Sequence, residues 1–248
     1  MWTSYQLERV FSEAGLAADD VVLAHSALRR LGPVDGGADT VIDALLSVVG
    51  PEGTVAVPTH TWATVGRNQP VFHETLSPSG VGALTDVFRQ RPEAVRSLHP
   101  THSIAAIGVR ARSLVEGHER DDTPCSPVSP YGRIAEWKGK VLLIGKGLEC
   151  CTFFHCVEEI GGCGSWSLSE HRELFYTIAA DARVIEVPSR CHRNSVSDNY
   201  PRLEGYLLSE GILKLTQLGD CPLYCLDAQA SAEWLAARLR KNTKFLWS

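Results

Sequence analysis

Several familiar signals are missing from these 248 residues, and each absence removes a class of protein. Nothing approaches the roughly 18 uninterrupted apolar residues of a membrane span, so no membrane association is expected. Lys and Arg number 24 against 29 Asp and Glu, for a formal charge of −5, and the basic residues are scattered. A stripe that tracks phosphates is therefore lacking and no nucleic-acid partner is expected, while a cationic or neutral small molecule is tolerated. The opening MWTSYQLERVFSEAGL has no basic start, apolar run or small-residue cleavage site, which makes the cytoplasm the expected compartment. Neither GxGxxG nor GxxxxGK[ST] occurs, so the two commonest glycine-rich phosphate loops are absent. The eight cysteines, at 125, 150, 151, 156, 163, 191, 221 and 225, include no pair with the two-residue gap of a zinc knuckle. No metal is expected, and in a large chain without an export signal the thiols are expected to stay reduced.

What is present is the 44% hydrophobic, 21% charged balance of a globular protein with ample core material. Short β-branched runs alternate with amphipathic stretches. VVLAH (21–25), TVAVPT (54–59), SIAAIGV (103–109) and KVLLIG (140–145) read as strands. DTVIDALLSVV (39–49), VGALTDVFRQR (81–91), RARSLVEGH (110–118) and TFFHCVEEI (152–160) read as helices. ELFYTIAADARVIEVP (173–188) reads as a hairpin turning at Asp181 and Ala182, followed by a helix over 200–211, a short strand over 222–227 and a helix over 228–242. The expected fold is α/β: a mixed, largely parallel central sheet with an antiparallel hairpin portion and helices on both faces. No repeat, low-complexity tract or linker divides the chain, so residues 1–248 are expected to form a single domain.

The densest chemistry lies in CCTFFHCVEE (150–159). On a helix Thr152, His155 and Glu158 recur every three residues along one surface, and Glu159 also reaches it. An imidazole whose tautomer a carboxylate fixes can take a proton from an amine, and the Thr152 hydroxyl can hold a carbonyl or a departing thiolate. The same spacing also describes an ordinary helical His/Glu pair, and Cys151 beside His155 allows a thiol nucleophile. His25, His99, His102 and His118 read as surface or capping residues. Gly36 and Gly37, just before the 39–49 helix, can bring backbone N–H groups close to an anionic ligand or simply make a turn.

Six segments in order, HSALRRLGPVDGG, VVGPEGTVAVPTHTW, RPEAVRSLHPTHSIAAIGVRA, TPCSPVSPYGRI, GKVLLIGKGLECCTFFHCVEE and NYPRLEGYLLSEGIL, resemble the aminoglycoside 3-N-acetyltransferases and their relatives. The resemblance covers about 21–160 well and 199–227 less well. It implies the antibiotic N-acetyltransferase-like fold, acetyl-CoA as co-substrate and a small-molecule primary amine as acceptor. It places the family's Thr, His and acid on Thr152, His155 and Glu158, with His155 as general base, and has no counterpart for a Cys151 nucleophile. It also implies that Ser26, Ala27, Leu28, Val34, Gly36, Gly37 and Ser103 line the CoA channel, where Arg29 or Arg30 can pair with a phosphate. In place of the longer, acid-rich segment expected after PTHT stands WATVGRNQPVFHETLSP, whose one carboxylate is Glu74. The wording of TPCSPVSPYGRI and LECCTFFHCVEE is similar to that of relatives associated with amino-sugar and natural-product acetylation. The expected acceptor is thus an amino sugar or natural-product intermediate ahead of an aminoglycoside, with a zinc amidohydrolase and a non-catalytic CoA-binding module as the rival classes. Oligomeric state is left open, a homodimer included.

Overall fold

The computed structural model describes residues 1–193 and 196–247. Ten strands form two sheets: β1 (Val21–Ser26), β2 (Thr54–Pro58), β3 (Val71–His73), β4 (Val95–Arg96), β5 (Ile104–Gly108), β6 (Lys140–Ile144), β7 (Leu168–Ile178), β8 (Val184–His192), β9 (Leu213–Leu218) and β10 (Cys221–Asp227). Seven build the central sheet in the order β4-β5-β2-β1-β6-β10-β9. Its middle, β2-β1-β6, is parallel, and both flanks are antiparallel. All residues of β1 and β2 are buried, which is why they read as near-continuous apolar runs without alternation.

Both faces of this sheet are covered. On one lie α1 (Ser4–Ala14), α2 (Gly37–Val49) and α3 (Ala83–Phe88), whose Leu7, Phe11, Ile42, Leu45 and Phe88 pack on Val22, Ala24 and Val55. A capping box fixes the start of α1: the Gln6 amide donates to Thr3 Oγ1 at 3.4 Å and the Thr3 amide donates to Gln6 Oε1 at 3.0 Å. The opposite face carries α4 (Ala111–Val115), α5 (Pro130–Glu136), α6 (Phe153–Ile160) and α9 (Ala228–Lys241), with Leu207 of α8 (Glu204–Ser209) at the margin. The four-residue α7 (Gly164–Ser167) links α6 to β7.

The hairpin expected over 173–188 forms, turning through Ala182 at φ 65°, but it does not join the central sheet. It makes a separate three-stranded sheet, β3-β7-β8, sealed by its own small core of Val65, Phe72, Phe175 and Val187. The antiparallel edge of the central sheet is supplied by β10 and β9. The sequence reading missed β9 because LKLTQL is polar and half exposed, as suits an edge strand. Arg96 ties the two sheets together. Its guanidinium donates to the carbonyls of Glu74 (2.9 Å), Ser77 (2.6 Å) and Thr59 (2.8 Å) and lies 4.7 Å over the Phe72 ring. Burial among these neutral partners pulls the Arg96 pKa down to about 9.

Candidate active site

A cavity of about 860 Å3 opens at the carboxyl ends of the parallel strands, where open α/β sheets bind their ligands. Its floor is His25 and Ser26 at the end of β1, Pro58 at the end of β2 and Lys146 just past β6. The cavity is also lined by Cys150, Cys151, Thr152 and His155, leading into α6, and by Glu173, Phe175, Cys191 and His192 of the small sheet with Arg193 just past it.

His155 is gripped through Nδ1. Glu158 Oε2 lies 3.1 Å from it and the Tyr200 hydroxyl 2.8 Å, and Tyr200 is hydrogen-bonded to Glu158 in turn. An ionised carboxylate only accepts, so this arrangement places the imidazole proton on Nδ1 and leaves Nε2 with a lone pair. Phe153, Phe154, Cys156 and Val157 are fully buried around the pair, and Glu158 itself is 0% exposed with Oε1 lacking a partner among the described residues. A buried carboxylate in such surroundings costs several kcal/mol of solvation, an expense that only its partners or its chemistry offset. Glu159 turns away and accepts from the Thr123 hydroxyl at 2.7 Å.

The other face of His155 lies flat on His192, with ring centroids 4.0 Å apart and planes 20° from parallel. His192 continues to His102 (5.1 Å), and His102 to His60 (4.7 Å) and His99 (6.2 Å); His99 then meets His118 (4.7 Å). Six of the nine histidines thus form one connected wall. Burial pushes His60, His99, His102 and His192 well below the ordinary imidazole range, and brings His25 and His118 down to about 3. They are neutral rings. Most are satisfied within the protein: His118 donates from Nε2 to the Pro124 carbonyl (2.9 Å) and pairs through Nδ1 with Ser97 Oγ (2.9 Å), and His60 Nε2 meets the Tyr131 hydroxyl (2.8 Å). Both nitrogens of His192 and Nε2 of His25 are buried without a partner among the described residues.

Of the residues singled out from sequence, the structure brings Thr152, His155, Glu158 and Ser26 to one place. Thr152 lines the cavity, and the Ser26 hydroxyl is buried there without a partner among the described residues. Ala27, Leu28, Arg29, Val34, Gly36, Gly37 and Ser103 are not among the lining residues. The Ala27 amide is taken by the Ile144 carbonyl (2.8 Å), Leu28 and Arg29 lie in the 3-10 turn Leu28–Leu31, and Val34 bridges to Trp2. Gly36 and Gly37 have φ of 74° and 66°, and a Cβ on Gly36 would stand 2.3 Å from Thr40 Oγ1. The turn into α2 is reason enough for both glycines. Ser103 is fully buried, its hydroxyl donating to the Thr59 carbonyl (2.9 Å) and accepting from Arg96 Nε (3.1 Å). Cys151 is fully buried, and burial pushes its thiol up to about 12, so it remains protonated and unreactive near neutral pH. All eight cysteines are free.

The profile of the aminoglycoside 3-N-acetyltransferase family matches residues 23–240. The chain belongs to that family. It is 37% identical over 175 residues to aminoglycoside N(3)-acetyltransferase VII of Streptomyces paromomycinus, a match spanning 64% of this chain and 60% of that protein. Against aminoglycoside N(3)-acetyltransferase IX of Micromonospora chalcea the identity is 33% over 271 residues, covering 96% of this chain and 95% of the relative. Among solved structures, the AAC-IIIb binary complex with CoASH superposes with a TM-score of 0.81 at 23% identity, over 97% of each chain, a likeness of fold.

Measured against the family motifs, the sequence reading missed Tyr200, His60, His102, His192, Lys146 and Arg193 as parts of the site. Tyr200 stood inside the matching NYPRLEG segment, and His60 and His102 inside PTHT and HPTHS. The motifs therefore carried a signal for these three. For His192 and Arg193, at the end of β8, no local pattern existed.

Proposed function

We propose that this chain is an acetyl-CoA-dependent N-acetyltransferase whose general base is His155. The observation that carries the reading is the contact of Glu158 Oε2 with His155 Nδ1 at the cavity wall; with Glu158 ionised, Nδ1 keeps its proton and the Nε2 lone pair is the one that can accept another. His155 takes a proton from the acceptor amine as the nitrogen attacks the acetyl carbonyl. The new C–N bond forms, the thioester C–S bond breaks, and the proton passes to the departing thiolate. Glu158 stabilises the transient imidazolium, and the hydroxyl of Thr152, a cavity-lining residue, donates to the developing oxyanion. Unpartnered hydroxyl and imidazole groups at Ser26 and His25 supply hydrogen-bonding capacity for the amide-bearing arm of the acyl donor, in keeping with the CoASH bound by the AAC-IIIb relative.

The acceptor is a primary amine of a small molecule, an amino sugar or natural-product intermediate in preference to an aminoglycoside. The names of the relatives favour the aminoglycoside. Against it, the one carboxylate between Thr61 and Val81 is Glu74, which already accepts from the Ala180 amide at 2.7 Å. Holding several ammonium groups takes several unengaged carboxylates. The decisive variant is His155→Ala. With acetyl-CoA and an accepted amine, its rate should fall about 10²- to 10⁴-fold while acetyl-CoA affinity stays within a few-fold. Turnover at the wild-type rate would remove His155 from the mechanism. Acetyl-CoA binding by the wild type with no thiol release against any amine would favour the non-catalytic module instead.

A further inference from the structure

The charges of the cavity do not suit a polycation. Among the described residues its carboxylates are Glu149 and Glu173, matched by two cations, Lys146 and Arg193. The lining is balanced in sign, with no surplus of negative charge for several ammonium groups. Glu173 stands 3.6 Å from the highly exposed Arg67 guanidinium, a pairing that water screens, and Glu149 folds back to accept from the Gly147 amide at 3.3 Å. The histidines of the wall, being neutral, add hydrogen-bonding capacity and no counter-charge.

Arg193 is differently placed. Its Nε donates to the Leu168 carbonyl at 2.9 Å, which fixes the guanidinium plane. The nearest carboxylate, on Glu170, is 3.8 Å from Nη2 and 79% exposed, so water screens that pairing heavily. A guanidinium anchored by one N–H keeps four more donors in a planar fork that matches a carboxylate or phosphate. It lies one residue past His192, the ring stacked on His155. His192, with two buried nitrogens that lack partners among the described residues, can bond a hydroxyl or carbonyl of the same ligand.

Building on the N-acetyltransferase reading, we infer that the acceptor is an amine carrying one anionic group, a carboxylate or a phosphate, and that Arg193 holds that group beside the His155–His192 stack. Arg193 is then a specificity residue: it selects the acceptor without taking part in proton transfer.

The test uses matched acceptors assayed with acetyl-CoA, following thiol release after quenching. Glucosamine is compared with glucosamine 6-phosphate, an amino acid with its amide, and a polyamine such as sisomicin is included. One member of a pair, the phosphorylated or the carboxylated amine, should be preferred at least about 10-fold in kcat/KM, and which pair shows the preference identifies the anion. Arg193→Gln should erase that preference by raising KM for the anionic acceptor at least about 10-fold with kcat for it little changed, and an unaltered Tm and acetyl-CoA affinity certify the fold. Arg193→Lys should keep part of it, because charge remains while the planar fork is lost. Preference for the uncharged or the polycationic amine would overturn the inference while leaving the transferase standing, as would an anion preference that survives Arg193→Gln. Silence with every class of amine would bring down the transferase reading and this one together.

Discussion

His155 is held on two sides by regions of opposite character. On the Nδ1 side the partners are Glu158, one turn along the same helix, and Tyr200, and the contact is a buried charge inside an apolar helix. Against the ring face stands a wall of uncharged imidazoles gathered from the end of β2, the loop before β5, the segment around His118 and the end of β8. The first region is costly in solvation and is retained for what it does to one proton. The second is stable only while its rings stay neutral. A base is thus set between a hydrogen-bonding carboxylate that fixes its orientation and a run of uncharged rings.

Acid should break the second region first, and with the largest effect. Folded-state pKa values of the five wall histidines 60, 99, 102, 118 and 192, and of His25 at the end of β1, lie below the unfolded value near 6.5, for His25 and His118 at about 3. A depressed imidazole pKa means that the unfolded chain binds protons that the folded one refuses. Stability is therefore complete above about pH 6.5 and is lost as pH falls below it. With six such groups the limiting slope is about 8 kcal/mol per pH unit, enough to exhaust a typical domain within a unit or two. Thermal melts from pH 8 to pH 5 should show Tm dropping steeply below pH 6, with several protons taken up on unfolding. A flat Tm down to pH 5 would mean that the rings already have charge partners or solvent.

Breaking the first region alone calls for Glu158→Gln. The amide fits the same space and its carbonyl can still accept from Nδ1, so the stack on His192 survives, but the negative charge that stabilises the imidazolium is gone. The expected loss in kcat is about 10²- to 10⁴-fold, with acetyl-CoA affinity unchanged and thermal stability at pH 7 equal to or above that of the wild type. Unaltered kcat would show that Tyr200 and the histidine wall suffice to set the base. A loss of stability together with rate would show that Glu158 is structural.

The two regions also differ in how far sequence reveals them. Thr152, His155 and Glu158 sit within seven residues, and helical periodicity alone puts them on one surface. The parallel core was equally legible, since β1, β2 and β6 are buried apolar runs and helix-forming segments follow them. The wall was not, because stacking His155 on His192 depends on where a hairpin docks. That hairpin was foreseen as part of the central sheet, whereas its apolar residues Phe175 and Val187 seal a core of their own with Val65 and Phe72. Ser103 shows a related limit: a hydroxyl at a strand start looks available, yet in the fold the buried guanidinium of Arg96, seven residues earlier, donates to it. The glycines before α2 answered to backbone geometry, which local sequence cannot separate from ligand approach.

The smallest effect, and the sharpest within α6 itself, concerns Glu159. It neighbours Glu158, is chemically identical to it and is turned the other way, accepting from Thr123 with Oε1 buried and unpartnered among the described residues. Burial pushes its carboxyl up to about 7 from an ordinary value of 4.5, only partly opposed by the Thr123 hydrogen bond and by Arg190. The sign is opposite to that of the histidines. A raised carboxyl pKa gives a contribution that is present on the acid side and is lost as pH climbs from about 4.5 through about 7, because ionising the buried group costs more than ionising it in the unfolded chain. Glu159→Gln keeps an acceptor for Thr123 and cannot ionise. At pH 8 the variant should therefore be more stable than the wild type by on the order of 2 kcal/mol, the gap closing towards pH 5, with transfer activity unchanged. Urea denaturation of both proteins at the two pH values measures the difference. A variant less stable at pH 8 would show that the ionised carboxylate is paired in the folded chain, and a drop in kcat would mean that the two glutamates act on His155 as one unit.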